Sequence, residues 1–386
     1  MSIMNNKNLL IKLFICFFIK QILYISLVFS QDTVGYFSNL DVNTNQALKS
    51  SIELYQTYIN ALEDGEIDYR KFWIEEELQK YKLPDLSSHY LLPKENLAIM
   101  GVSKIDEERY LLKTIGYMDK KDQRPCEIMY IYNYIVYRID DQYKLGNYLD
   151  YALEKHKIPS VKGRFGEYYG INDKEVKQID DFFESIEDFF NSKFNGRFTV
   201  IDFADNLESL TYRGYDYFIG SMNSKTTTSG LYNSANDIMY TTGKGRIHKH
   251  ELLRSLHTLL PESPIILRNG FANLVGGSLG LSLKENIQLL YPFLKKNPDV
   301  LDDIDNFYYY DDQVVPHAVF TGLVTNYYLK KFGTDAFISI MKSDDKKDIS
   351  IEDFLKKYSE FDNVSTFLIH EMEDFLKNGS EFTQLF

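Results

Sequence analysis

The chain has 386 residues, of which 43 are Lys or Arg and 56 are Asp or Glu, giving a formal net charge of −13. That balance argues against a nucleic-acid binder, whose affinity rests on Lys and Arg neutralising phosphates, and against an anionic membrane surface. With 30 Tyr and 27 Phe but only two cysteines, the fold must be held by a large aromatic core rather than by disulfides.

The first residues read as an export signal. Lys7 and Lys12 precede and punctuate an apolar stretch, 13–19 and 22–29, that ends at Val28-Phe29-Ser30 before Gln31-Asp32. Small Ser30 at −1 and Val28 at −3 suit signal-peptidase cleavage, so residues 1–30 are expected to be removed and the protein exported, periplasmic or secreted. The alternative is an uncleaved anchor, but Lys20 interrupts the apolar run and leaves no unbroken span of ~20 residues. Ile15 before Cys16 argues against lipid attachment. No other segment is apolar enough to span a membrane. Cleavage would leave 40 basic against 56 acidic residues, −16, and Cys126 as the only cysteine.

About 356 remaining residues suggest two domains, 31–155 and 156–386. The first opens with a helix whose core face is Leu48, Ile52, Tyr55, Ile59 and Leu62, closed by Glu63-Asp64-Gly65. Strand-like runs follow over 110–118 and 126–139, separated by the polar turn 119–125. The second run is apolar at odd and even positions, so both its faces should be covered. A helix on antiparallel strands resembles an NTF2-like α+β layout, which can cradle a small ligand or serve as a spacer or docking module.

The second domain begins with a capping box, Asn172 and Glu175, ahead of a helix carrying Val176, Ile179, Phe182, Phe183, Ile186, Phe189 and Phe190. A strand is predicted over 197–205, a short helix over 206–212, and sheet or loop over 218–221 and 230–233. A helix over 248–260 should stop at Pro261 and bury Leu252, Leu253, Leu256, Leu259 and Leu260. That leaves His250, Arg254 and His257 toward a cleft. Helices are then expected over 282–296, 316–332, 334–342, 350–360 and 364–377. Strands first and helices last make an α+β order.

The chemistry concentrates at His250-Glu251-Leu252-Leu253-Arg254, one substitution short of His-Glu-x-x-His. In the intact motif two histidines a turn apart hold Zn²⁺ and the glutamate activates water. Arg254 offers no lone pair, and at ~4 Å its charge would repel the ion by roughly 8 kcal/mol, against the ~10–16 kcal/mol of a good zinc site. Three other stretches keep order and spacing. They are Ala235-Asn236-Asp237-Ile238-Met239-Tyr240, then Leu267-Arg268-Asn269-Gly270-Phe271-Ala272 with Gly276-Gly277-Ser278, then 324–333 ending in Gly333. Together, over roughly 165–345, they resemble the peptidase MA-like gluzincin domains of bacterial exported proteins: the edge strand before the zinc helix, the Glu-Gly-x-Ala segment, and the helix backing the site. The resemblance places His250 at the first ligand and Glu251 at the general base. Arg254 stands for the second ligand and Asn269 for the third. It implies a metallopeptidase fold without a catalytic residue or metal at work, with Arg254 pairing to Glu251 and linking the two site helices.

Other histidines offer little to a metal. In a helix His250 and His257 stand ~10.5 Å apart, too far for one ion. His248 and His250 converge only on extended backbone, with His317 as a third donor. Three functions follow. The first is a non-catalytic relative that binds a peptide or envelope protein in the former substrate cleft, with no cofactor. The second is an active metallopeptidase using zinc through non-standard ligands. The third is a structural envelope protein whose N-terminal domain does the binding.

Overall fold

The computed structural model describes residues 35–36, 46–63, 69–87, 92–118, 127–219, 230–243, 248–301, 304, 307, 314–343, 350–361 and 363–384. The segment read as an export signal, Cys126 and the turn expected over 119–125 lie outside the described residues. The protein is of mixed α+β class, and its chain divides into two compact units, Met1–Lys157 with Leu210–Asn223, and Ile158–Ser209 with Ser224–Phe386.

The first unit is built on a six-stranded sheet. Strand β1 (Gly35–Tyr36) runs parallel to β2 (Leu97–Lys104), and β2, β3 (Arg109–Met118), β4 (Glu127–Ile139) and β5 (Gln142–Asn147) form an antiparallel meander. Helix α1 (Gln46–Glu63) buries Ile52, Tyr55 and Ile59 in the core formed with Ile99, Leu112, Tyr132, Tyr134 and Leu145. The periodicity of the sequence predicts this face. Tyr132 through Val136 are all buried, so β4 is covered on both sides. Inside, the hydroxyls of Tyr58 and Tyr134 donate to Asp85, at 2.8 and 3.2 Å. On the short helix α2 (Glu75–Lys80) Glu77 is buried and accepts hydrogen bonds from the backbone and side-chain amides of Asn147. Burial and then the charge of Asp150 push the Glu77 carboxyl well above the usual range. Helix α3 (Tyr148–Lys155) follows β5.

The second unit has a five-stranded sheet. It begins with β6 (Ser160–Lys162) and β7 (Gly166–Tyr169), and helix α4 (Asp173–Phe190) then leads to β8 (Phe198–Phe203). Asn172 and Glu175 cap α4 reciprocally as the sequence predicts, and Phe183 stacks on Phe198 with ring centres 5.0 Å apart. Helix α5 (Asn206–Tyr212) carries the chain across to β9 (Tyr215–Phe218), which pairs with β4 of the first unit's sheet. The chain then supplies β10 (Gly230–Asn233) and β11 (Ile238–Thr242), giving the order β10-β11-β8-β7-β6. The strand read as the edge, 235–240, is therefore interior. Ala235–Asp237 form the turn, Asp237 has φ 54°, and β11 is buried along its whole length between β10 and β8. Strand β10 is the edge.

The helix predicted over 248–260 is two helices, α6 (Lys249–Arg254) and α7 (Leu256–Leu259). At the joint Ser255 takes over the Leu252 carbonyl with both its amide, at 3.2 Å, and its hydroxyl, at 2.5 Å. A side chain competing for a backbone acceptor interrupts the i→i+4 ladder in this way. All five predicted leucines are nonetheless buried. The remaining elements are helices: α8 (Ile265–Gly276), α9 (Leu283–Lys296), α10 (Pro316–Met341), α11 (Ile351–Tyr358) and α12 (Val364–Asn378). Within α10, Gly333 breaks the helix at φ 83° and ψ 170°, as its reading as a glycine stop anticipates.

Helix α8 holds this half together by close approach. A Cβ on Gly270 would fall 2.1 Å from Oγ1 of Thr325 and 2.3 Å from the Thr321 carbonyl oxygen, both on α10. Backbone cannot yield as a side-chain tip can, so Gly270→Ala is expected to lower stability by about 2–3 kcal/mol. Urea denaturation measures this, and a variant as stable as the wild type would show that α8 and α10 have room to separate.

Candidate functional site

A cleft of about 570 Å³ opens at the start of α6. Its walls are Gly230 of β10, His248 to Glu251, Leu274 to Gly276 at the end of α8, the 278–284 segment into α9, and Phe375, Gly379, Ser380 and Thr383 at the chain's C-terminal end. Two glycines set its geometry. A Cβ on Gly276 would lie 2.3 Å from the amide nitrogen of His250 and 2.5 Å from its Cα, so α8 ends in backbone contact with α6. A Cβ on Gly230 would lie 2.1 Å from Cγ of Glu251, so the glutamate is pressed against the edge strand.

His250 and Glu251 are the sequence-predicted residues brought together here, with Nε2 and Oε1 3.9 Å apart. Their side chains are only 21% and 13% exposed. Burial, followed by the nearby Arg254 charge, pulls the His250 ring down to about 4. The backbone at Gly277 and Ala272 pulls the other way, but neither completes a hydrogen bond to the buried Nδ1. Burial pushes Glu251 up to about 6, with Arg254 partly offsetting it. The two groups are thus both neutral between about pH 4 and 6, and their contact is not an ion pair at neutral pH either.

Arg254, His257 and Asn269 do not line this cleft. Arg254 is exposed, and no carboxylate among the described residues is within ion-pair distance of it. The expected Arg254–Glu251 link is therefore absent. Glu251 turns inward onto Gly230, while a guanidinium at a helix end keeps its hydration by pointing outward, which costs less than following the carboxylate into the interior. His257, beyond the break at Ser255, lies 5.4 Å from the Tyr232 ring and 3.8 Å from Asp237. Asn269 is half-buried within α8, one turn before Ala272.

The residues fit zinc poorly. Of the three positions that the resemblance implies as ligands, only His250 carries a metal donor of ordinary strength, since Arg254 has no lone pair and the Asn269 amide is neutral. Among the described residues no three His, Cys, Asp or Glu side chains come together as a metal-binding group. His248 stands at the N-cap position of α6 without a side-chain cap bond, its Nε2 2.7 Å from the Thr242 carbonyl, and Lys249 and His250 are helical, so the extended His-x-His arrangement is not formed; His317 is exposed at the start of α10.

Sequence reasoning missed Gly230, Lys249, Lys284 and the C-terminal residues of the wall. Only the Ser282–Glu285 capping box that starts α9 carried a local signal near them. No family model matches the chain, and a search of curated proteins finds no match either.

The electrostatics predict how stability depends on pH. A carboxyl raised from 4.5 to about 6 binds its proton more firmly in the native state, so it favours the fold below about pH 4.5 and this support is lost as pH rises through 6. Glu251→Gln should therefore be more stabilising at pH 8 than at pH 4, by about 2 kcal/mol. Urea denaturation at both pH values checks this, and equal effects would mean a hydrated carboxylate. His250 acts in the opposite sense: the unfolded ring protonates first, so acidification from 6.5 toward 4 destabilises the fold. Arg254→Ala, exposed and unpaired, should change stability by no more than about 0.5 kcal/mol in the same assay.

Proposed function

We propose that this protein is an exported, non-catalytic relative of the zinc metallopeptidases. In this reading, residues 156–386 form a peptidase MA-like gluzincin domain, and residues 31–155 form an NTF2-like domain. The former substrate cleft binds a peptide or an envelope protein. One observation carries the reading: His250 and Glu251, at the first-ligand and general-base positions, stand side by side in the wall of a cleft bordered by an edge strand. The rest of the motif is chemically spent. Arg254 is exposed in the solvent, and Asn269 offers an amide where a carboxylate would be needed.

The neighbouring packing supports the same descent. Gly276 meets the backbone of His250, and Asn269 lies on the α8 face shared with Ala272, three residues on. Strand β10 has no partner on its outer side among the described residues, so an extended peptide can add to it through main-chain hydrogen bonds. No helix among the described residues is long and apolar enough to cross a membrane, which is compatible with export.

Elemental analysis of the purified protein tests the loss of metal. Zinc is expected well below one equivalent per chain, and a full tightly bound equivalent would sink the non-catalytic reading in favour of an active peptidase. The double variant Arg254→His with Asn269→Glu supplies the missing donors and is expected to take up zinc that the native chain does not. A folded double variant that still binds none would count against descent from an active site.

A further inference from the structure

Three Asn-Gly pairs occur in the chain, at 195–196, 269–270 and 378–379. In such a pair the backbone nitrogen of the glycine can attack the asparagine side-chain amide, because glycine sets no side chain beside that nitrogen and leaves the backbone free to turn. Two conditions decide whether this happens in a folded chain. The nitrogen must be able to give up its proton, and the backbone must be free to bring it to Cγ.

Two of the pairs fail both conditions. Asn269 and Gly270 lie within α8, and Gly270 is packed against the Thr321 carbonyl and Thr325. Asn378 ends α12, where its Nδ2 donates to Oδ1 of Asp374 at 2.6 Å and the Gly379 amide donates to the Phe375 carbonyl at 2.8 Å. The third pair meets both. Asn195 and Gly196 are exposed in the connection from α4 to β8, outside any helix or strand. Among the described residues, neither the Asn195 side chain nor the Gly196 amide makes a hydrogen bond. Gly196 has φ 137°, and a Cβ there would meet nothing within 4 Å. The chain is anchored on either side. Buried Glu187 accepts from Nζ of Lys193 at 2.7 Å and from the Phe194 amide at 2.9 Å, and the Phe194 ring packs on Phe198, the first residue of β8. Residues 195–197 are thus a short unbonded span that can rearrange without unfolding its neighbours.

We infer that Asn195 is a site of spontaneous amide loss and backbone isomerisation. The Gly196 nitrogen, its proton passed to solvent base, bonds to Cγ of Asn195. The Cγ–Nδ2 bond breaks, and Nδ2 leaves as ammonia, closing a cyclic imide. Water then opens the ring. Cleavage of the new bond to Cγ leaves an aspartate, and cleavage at the main-chain carbonyl leaves an isoaspartate whose backbone runs through Cβ and Cγ. Overall, water is consumed, ammonia is released, no electrons are transferred, and a neutral amide becomes a carboxylate. The N–H that is consumed has no hydrogen bond to lose, and the span between the anchors absorbs the longer isoaspartyl link.

Peptide mapping of the full chain provides the test. The folded protein is held for several weeks in mildly alkaline buffer, then digested with trypsin and compared with a zero-time digest by mass spectrometry. Cleavage after Lys193, Arg197, Arg268, Lys284 and Lys377 puts the three pairs in separate peptides. The 194–197 peptide is expected to convert to resolved aspartate and isoaspartate forms at least about tenfold faster than 269–284 or 378–386, because hydrogen bonds must first open at the other two. In urea the three should convert at similar rates. Asn195→Gln should remove the early acidic isoform seen on ion exchange and leave stability toward urea unchanged. Equal rates at the three pairs in the folded chain, a lead for 269 or 378, or no conversion at 195 would overturn the inference.

Discussion

The site depends on how closely helix α8 can approach its neighbours. At Gly270 it touches the α10 backbone, and at Gly276 it touches the backbone of His250 on α6. A single methyl group at either place would occupy space already filled by main chain. Helix α8 is thereby fixed on both sides, and the last turn that it contributes to the cleft wall inherits that rigidity. Packed interiors transmit such displacements because they hold little free volume. The positions of His250 and Glu251 are consequently set by helix packing, with the edge strand closing the far side of the glutamate.

Burial at that contact sorts the two ionisable groups in opposite directions. Desolvation opposes whichever form is charged, so it lowers the histidine and raises the glutamate. Arg254 acts through space in both cases, depressing the ring further and recovering part of the carboxylate's acidity. Its influence is limited because it lies in solvent, where water screens it. At neutral pH the cleft therefore presents an uncharged imidazole beside a carboxylate that is mostly ionised. It is an arrangement for accepting hydrogen bonds more than for storing charge.

Much of this half of the molecule was legible in the sequence because its helices announce themselves. The Asn172–Glu175 box, the Phe182-Phe183 face and the stop at Gly333 are local signals, and each corresponds to an element in the structure. What escaped was set by tertiary contacts. Strands β2 and β5 include Gly101, Ser103, Lys104 and Gly146, which blur the alternation expected of a strand, and their pairing with β3 and β4 decides them. The break at Ser255 turns on a hydroxyl choosing a carbonyl, a competition that a helical pattern of leucines hides. At the site, a helical projection places Glu251 and Arg254 near one another, but it cannot tell which of them a neighbouring glycine will draw inward. Gly230 settles that, from a strand some twenty residues earlier whose place at the sheet edge no local signal marks.

The membership of β9 in the first unit's sheet has a consequence for how the chain acquires its structure. Strand β4 pairs with β5 along its second half and with β9 along its first, through Tyr130 to Tyr132. Between β5 and β9 the chain builds β6, β7, α4 and β8, all of which belong elsewhere. A nascent chain that has just delivered β5 still exposes half an edge of β4, tyrosine-rich and ready to pair. Contacts so distant in sequence form late, and an open strand edge in the interval invites the wrong partner. Synthesis must run some seventy residues further before the edge is closed, so the first unit reaches its final state only after the opening segment of the second, Ile158–Ser209, has emerged.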